Sequence, residues 1–374
     1  MIESQIGLYT DWSFKPDKST PPAFLLHPWH LETGSIVDIR DKSEFRDVDR
    51  FKSLNENYQN YFIYTSNAEN ADYAVMPSDW KYYRWSEKMH QGIQFLELMQ
   101  HIQKRSIIQY NADDDLPLDL HADSLNSQNN PIVVRTSFNA SNRRPNEYVM
   151  PGFVGDPLTV FGGGQLDIRR KNTEPIVSFC GWSANAPMSD RELKYFNELV
   201  ENGFSSLNLD EQSELVYSFR ATVLNNLQEY DKFKTDFIKR AGYCGGIDRD
   251  KNPEGLSKVR KEYFQSLINS DYVVCVRGKG NYSYRFYETL ALGRIPIFVD
   301  TDSPLPFSDE INWKDYCIWV DHKDIDKIGE IVASHYQDIT PEGYRDLQIK
   351  NRKIWEEMLT MEKYFYHLFR KINT

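Results

Sequence analysis

Residues 271–300 read DYVVCVRGKGNYSYRFYETLALGRIPIFVD, and this stretch limits the fold more than any other. A buried apolar run gives way to Arg-Gly-Lys-Gly, then to a short segment of helical period, then through Gly-Arg to a second apolar run. Strand, glycine turn, helix and strand in succession are the unit of a mostly parallel sheet with covering helices. The turn also carries chemistry, because it aims free backbone N–H groups and the positive end of a helix at an anion. Gly278 and Gly280 loosen the turn, and Asn281 or Ser283 is placed to cap a helix that runs to Leu292. Gly293 is suited to its C-terminal boundary.

Arg277 and Lys279 put positive charge at the mouth of this turn, where a phosphate or diphosphate would meet backbone donors, dipole and side chains together. Arg285 and Glu288 are three apart, on one edge of the helix, and a carboxylate there can accept hydrogen bonds from ribose hydroxyls. A plainer account is open at this stage. Gly-x-Gly alone is weak, the third glycine of a dinucleotide fingerprint and the G-K-[ST] of a P-loop are missing, and Arg285 and Glu288 also suit a surface ion pair.

The same alternation runs through the whole chain. Its 374 residues, at roughly 150 per domain, suggest two domains. YFIYT (61–65), YAVM (73–76), SIIQY (106–110) and PIVV (131–134) have strand character, and 79–105 holds a long helical pattern with Ile93, Leu96, Leu98, Met99 and Ile102 as its apolar face. Residues 152–172, with three glycines in a row at 162–164, suit a glycine-rich hinge. A second unit opens on the buried-strand run PIVSFCGW (175–182) and continues with helical patterns near 189–201, 211–228, 232–240 and 256–269. The strand and helix of the 271–300 stretch follow, then the strand CIWV (317–320) and a helical tail from Pro341 carrying Trp355, Met358, Phe365 and Phe369. Two such α/β units leave a cleft between the carboxyl ends of their sheets, where open α/β sheets bind ligands.

A net charge of -11 weighs against the broad positive field that nonspecific nucleic-acid binding needs, while leaving room for a local basic pocket. The four cysteines form no C-x-x-C pair and three lie in apolar runs, so they read as reduced core residues. MIESQIGLYTDW lacks a basic region followed by an apolar core, and no 18-residue apolar span occurs. The expectation is a cytoplasmic protein.

The run R-G-x-G-x-x-S-x-R-x-x-E-x-L-x-x-G-R-I-P, followed by Leu305-Pro306-Phe307 and Trp313, resembles the carboxyl-terminal half of the exostosin family of glycosyltransferases, here as a bacterial-like member. The specific similarity covers about 271–320; a thinner one takes in ADYAVMP (71–77) and VMPGF (149–153). The resemblance implies an α/β GT-B architecture of two Rossmann-like domains facing a cleft: an acceptor domain over 1–160, a nucleotide-sugar domain over 161–340, and a helix over 341–374 crossing back. It further implies inverting, metal-independent transfer from a nucleotide-diphosphate sugar, such as a UDP-sugar, to a glycan or glycolipid in surface polysaccharide synthesis. No cofactor beyond the donor substrate is implied. The donor residues by position are Arg277, Gly278, Gly280, Ser283, Arg285 and Glu288.

Inverting transfer needs a general base to take the proton of the acceptor hydroxyl, and the first domain is where it is expected. Asp79, in MPSDW, follows a strand directly, although that position also suits a helix N-cap. Asp113, Asp114 and Asp115 follow SIIQY, and the D-x-D inside them is the spacing by which many glycosyltransferases hold Mg or Mn under a diphosphate; a solvated acidic loop is the alternative. Gly181 and Trp182 end the first strand of the second unit, at the cleft edge, as donor contacts or as turn residues. Arg220, within a long helix, is either structural or diphosphate-facing. The tail KYFYHLFRKINT interleaves aromatics with Lys363, Arg370 and Lys371, which suits docking onto the first domain or, alternatively, peripheral contact with an anionic membrane at its inner face. A nucleotide-sugar binding protein without catalysis is the competing functional class.

Overall fold

The computed structural model describes residues 5–30, 57–115, 118, 120, 130–204, 207–248 and 251–373. Two sheets form, each wholly parallel. In the first half, β1 (Ile6–Tyr9), β2 (Phe62–Tyr64), β3 (Tyr73–Val75), β4 (Ser106–Tyr110), β5 (Ile132–Arg135) and β6 (Glu147–Val149) lie in the order β2-β1-β3-β4-β5-β6. In the second half, β7 (Ile176–Trp182), β8 (Lys234–Arg240), β9 (Tyr272–Cys275), β10 (Ile295–Asp300) and β11 (Ile318–Asp321) lie in the order β11-β10-β9-β7-β8. Counted within each half, the two orders are the same doubly wound 2-1-3-4-5, the first half adding one further strand. The order reverses between β1 and β3 and between β7 and β9, and such a switch point opens a ligand crevice at the carboxyl ends of the strands. This α/β arrangement agrees with the GT-B architecture.

The central strands are legible because parallel strands covered on both faces are continuous apolar runs; every residue of β4, β5 and β9 is buried. Three readings need correction. Residues 232–240 are helical in pattern but form strand β8, an edge strand whose residues are all partly or fully exposed, so packing imposes no clean period of two. The long helix over 79–105 is two, Trp80–Trp85 and Met89–His101, broken where Glu87 takes φ 58°. Its second part buries Phe95, Leu96 and Met99, while Leu98 and Ile102 are exposed.

The glycine-rich connection is stapled rather than loose. Arg169 pairs with the fully buried Asp271 at 2.7 Å and exchanges backbone hydrogen bonds with the Gln348 amide, both 2.9 Å. Arg294, of the Gly-Arg-Ile-Pro motif, is buried and donates to the carbonyls of Asp167 and Ile268. Gly293 has φ 62°, and a Cβ there would fall 2.6 Å from Leu166. The last helix, Met361–Asn373, lies on the first sheet: Phe369 stacks on Tyr73 and meets Phe62 edge-on, and Tyr366 packs on Tyr61. Its apolar face is thereby covered, and Lys371 is bonded to Asp309 and Glu310. These contacts favour docking over the membrane alternative. No helix among the described residues is long and apolar enough to cross a membrane.

One hydrophobic core takes residues from both sheets, including Val75 and Ile107 from the first and Val273 and Phe298 from the second. Beside it, Asn281 joins the halves. Its N–H donates to Ser137 Oγ (2.8 Å), and its amide donates to Asn139 (2.9 Å) and to the carbonyls of Thr301 (3.0 Å) and Asp302 (3.1 Å). Its own oxygens accept from Thr301 Oγ1 (2.8 Å) and Ser303 Oγ (2.6 Å). Asn281 is therefore a junction, and not the helix cap that its position suggests. Because Asn281→Ala strands several buried polar groups, it is expected to cost on the order of 3 kcal/mol, read as a fall in Tm by calorimetry.

Candidate active site

The second-half switch point is built by the end of β7, the segment after β9 and two long helices. It holds a cavity of about 450 Å3. Arg220 comes from the helix Leu209–Gln228, whose start is fixed by a capping box between Asn208 and Glu211. Val216, Phe219 and Val223 of that helix enter the core, which turns Arg220 toward the cavity. Its guanidinium donates to the carbonyls of Trp182 and Arg277, both at 2.6 Å. Arg285, from the helix Tyr284–Ala291, lies over the Phe179 ring at 4.3 Å and donates to the Cys180 carbonyl at 2.8 Å.

Both guanidiniums are more than nine-tenths buried, and the Nε of each has no hydrogen-bond partner among the described residues. Burial, followed by the charges of Arg285 and Arg277, pushes Arg220 down to about 9. The cavity lining has five cations, Arg220, Arg240, Arg260, Lys279 and Arg285, against two carboxylates, Asp113 and Glu288. Such a site holds positive charge at a cost that an entering dianion would remove.

Gly181 is needed for space: a Cβ there would fall 2.6 Å from Arg285 Nη2. Trp182 stacks on Tyr217 with centroids 3.8 Å apart, making an aromatic wall. Glu288 accepts the Tyr263 hydroxyl, and Tyr263 is raised well above the usual phenol range by burial and then by the Glu288 charge. Gly278, Gly280, Ser283, Arg285, Glu288, Gly181 and Trp182 thus all line one cavity. Ser283 sits at the N-cap of its helix without a side-chain capping bond.

Arg277 is the exception. It lines neither this cavity nor its neighbour. It is buried over the Phe204 ring at 4.6 Å and pairs with Asp115 of the first half at 3.3 Å, so its charge joins the two halves rather than facing ligand. Arg220, left undecided by the sequence, faces the cavity instead. The available signal was a lone arginine inside the apolar pattern of VYSFRATVL. Tyr217 and Tyr263 were missed, as aromatics at helical spacing read as core.

The three acidic residues after β4 have three separate roles. Asp114 accepts from Tyr110 and Arg84. Asp115 is committed to Ser137 and Arg277. Asp113 is exposed and accepts from the Tyr282 hydroxyl at 3.0 Å. Gly280 lets the halves meet here, since a Cβ on it would lie 2.9 Å from Asp113 Cα. Among the described residues, no group of three or more His, Cys, Asp and Glu converges to hold a metal ion. Asp79 lines neither cavity: it caps the helix Trp80–Trp85 through Lys81 N–H (3.0 Å) and accepts from Gln109 (2.8 Å) and Asn111 N–H (2.9 Å). Its buried carboxylate, raised by desolvation, is engaged within the fold.

A second cavity, about 1510 Å3, lies between the halves. It shares Asp113, Tyr243, Lys279, Tyr282 and Tyr284 with the smaller one. Asp113 therefore stands where a compact cationic pocket opens into a wide groove.

Residues 203–335 match the Exostosin GT47 domain. This exostosin-type region contains Arg220, Arg285 and Glu288 and ends before the last two helices. The chain is similar to Exostosin-1 of Drosophila melanogaster, 32% identical over 114 residues, which is 30% of this chain and 14% of the fly protein. It is also similar to the probable beta-1,4-xylosyltransferase IRX10L of Arabidopsis thaliana, 32% identical over 72 residues (19% and 17%). A probable glucuronosyltransferase of Oryza sativa subsp. japonica is 31% identical over 72 residues (19% and 17%). The chain thus spans under a fifth of the length of each. These likenesses are of exostosin type, and the domain match lies in the second half of the chain. They come from a fly and from plants, and the expectation of a bacterial-like member finds no support in them.

Proposed function

We propose that this chain is an inverting glycosyltransferase that moves a sugar from a nucleotide-diphosphate donor to a glycan or glycolipid acceptor without a bound metal. The observation that carries this reading is the arginine-lined cavity at the β7/β9 switch point opening onto the exposed carboxylate of Asp113. The diphosphate lies against Arg220 and Arg285, whose free Nε–H groups are its donors. Glu288 receives ribose hydroxyls, and the Trp182–Tyr217 wall borders the donor. Asp113 takes the proton of the acceptor hydroxyl as that oxygen bonds the anomeric carbon. The bond from that carbon to the diphosphate oxygen breaks on the opposite face, and the guanidiniums take up the charge of the leaving group. A UDP-sugar as donor and polysaccharide assembly as the setting extend the family likeness, a cytoplasmic location follows from the reading of the four free cysteines as reduced, and all three belong to the proposal.

In thermal denaturation, UDP at a hundredfold excess over its Kd is expected to stabilise the protein by about 2.7 kcal/mol, with the gain unchanged by a chelator. Transfer from a panel of UDP-sugars is likewise expected to persist in chelator. Strict manganese dependence would replace this mechanism with a D-x-D metal reaction. Tight UDP binding without turnover on any acceptor would make the chain a nucleotide-sugar binding protein.

A further inference from the structure

The wide cavity differs in chemistry from the donor pocket. Its lining is acid-rich, with Asp113, Asp114, Asp115, Glu147, Glu211 and Glu214 among its carboxylates. Arg84 is spent on Asp114, Arg135 on Glu147 and Asp115 on Arg277, which leaves Asp113, Asp210, Glu211 and Glu214 against Lys81, Arg144 and Lys279. The rest of the polar lining is amide, from Asn111, Asn139, Asn142, Asn202, Asn208 and Gln212, and phenol, from Tyr243, Tyr282 and Tyr284. Amides and carboxylates of this density suit a ligand bearing many hydroxyls and no negative charge of its own.

One aromatic stands out in that lining. Trp85 is 72% exposed, the most open of the large hydrophobic side chains described. It closes the helix Trp80–Trp85, just after β3, and belongs to the wide cavity alone. The ring is braced from behind: Tyr82 meets it edge-on at 5.7 Å and 90°, and the Lys81 ammonium sits 5.2 Å from the Tyr82 centroid and 5.7 Å from that of Trp85. Lys81 is itself tied to the Asn111 carbonyl at 3.0 Å. A single exposed indole is ordinary on a protein surface; what marks Trp85 is its place in the lining of a wide polar groove. The partner that suits a flat, electron-rich face beside amides and acids is the C–H face of a pyranose ring, whose hydroxyls point outward to polar groups.

We infer that the wide cavity binds an uncharged oligosaccharide several sugars long, with Trp85 as the stacking platform for a unit away from the reacting one. The size agrees, since about 1510 Å3 exceeds the roughly 300–1,000 Å3 of pockets for drug-sized ligands. The inference rests on the glycosyltransferase reading for the identity of the groove as acceptor site, but its test does not need turnover.

The full chain is titrated calorimetrically with neutral xylo-oligosaccharides and cello-oligosaccharides, from single sugars to longer chains, and with oligogalacturonides of equal length. Affinity is expected to rise with length in a neutral series and to be at least about tenfold weaker for the anionic chains. Trp85→Ala should lose about tenfold for the longer neutral chains and nothing for single sugars, while Trp85→Tyr retains most of the affinity. UDP binding should be the same in all three proteins. Length-independent affinity, equal binding by Trp85→Ala, tighter binding of oligogalacturonides, or no binding by any neutral chain would overturn the inference. The UDP arm separates the two readings: UDP binding without oligosaccharide binding sinks the groove assignment alone, and the reverse sinks only the nucleotide-sugar assignment.

Discussion

Replacing Arg285 with alanine is expected to weaken UDP binding by about a hundredfold, the equivalent of about 2.7 kcal/mol for charge-assisted bonds made in a desolvated pocket. The side chain donates to the Cys180 carbonyl, lines the cavity and has an Nε–H without a partner among the described residues, so its removal takes away a donor and a charge together. Arg285→Lys should recover little, because an ammonium lacks the planar fork that reaches both the strand carbonyl and a phosphate oxygen. Calorimetric Kd values measured beside circular dichroism and Tm separate lost binding from lost folding. An unchanged Kd in a folded Arg285→Ala protein would mean that the diphosphate lies elsewhere.

Asp113→Asn is expected to lower kcat by about 10²–10⁴, the usual contribution of a positioned general base, with the UDP Kd unaltered. Asparagine keeps an oxygen to accept from the Tyr282 hydroxyl, so the junction between the cavities keeps its shape while the proton acceptor is lost. Steady-state kinetics at saturating donor reads this directly. Turnover that survives the change would move the base to another carboxylate of the groove.

Much of the lining of the cationic cavity was readable in advance because its parts are local. Gly278, Gly280, Ser283, Arg285 and Glu288 lie within one turn and one helix, where spacing decides which side chains share an edge. Gly181 and Trp182 were readable as the end of a buried strand. What spacing could not supply was pairing across the chain. Arg277 has the same local setting as a phosphate ligand, yet Asp115, 162 residues away, claims it. The D-x-D pattern is likewise intact in sequence and divided in space, since Asp115 and Asp113 face different partners. Edge strand β8 escaped for a related reason: strand periodicity is written by burial, and an edge has too little of it.

The shared core and the Asn281 junction bear on how this protein can be re-engineered. Many two-lobed enzymes invite the exchange of one lobe for a homologue's to import a new donor preference. Here a transplanted lobe would arrive with an alien counterpart for Ser137, Asn139 and the shared core beside them, and both partners would lose their footing at once. New specificity is better sought by single substitutions at Trp182 or Tyr263, which line the cationic cavity and leave that shared core intact.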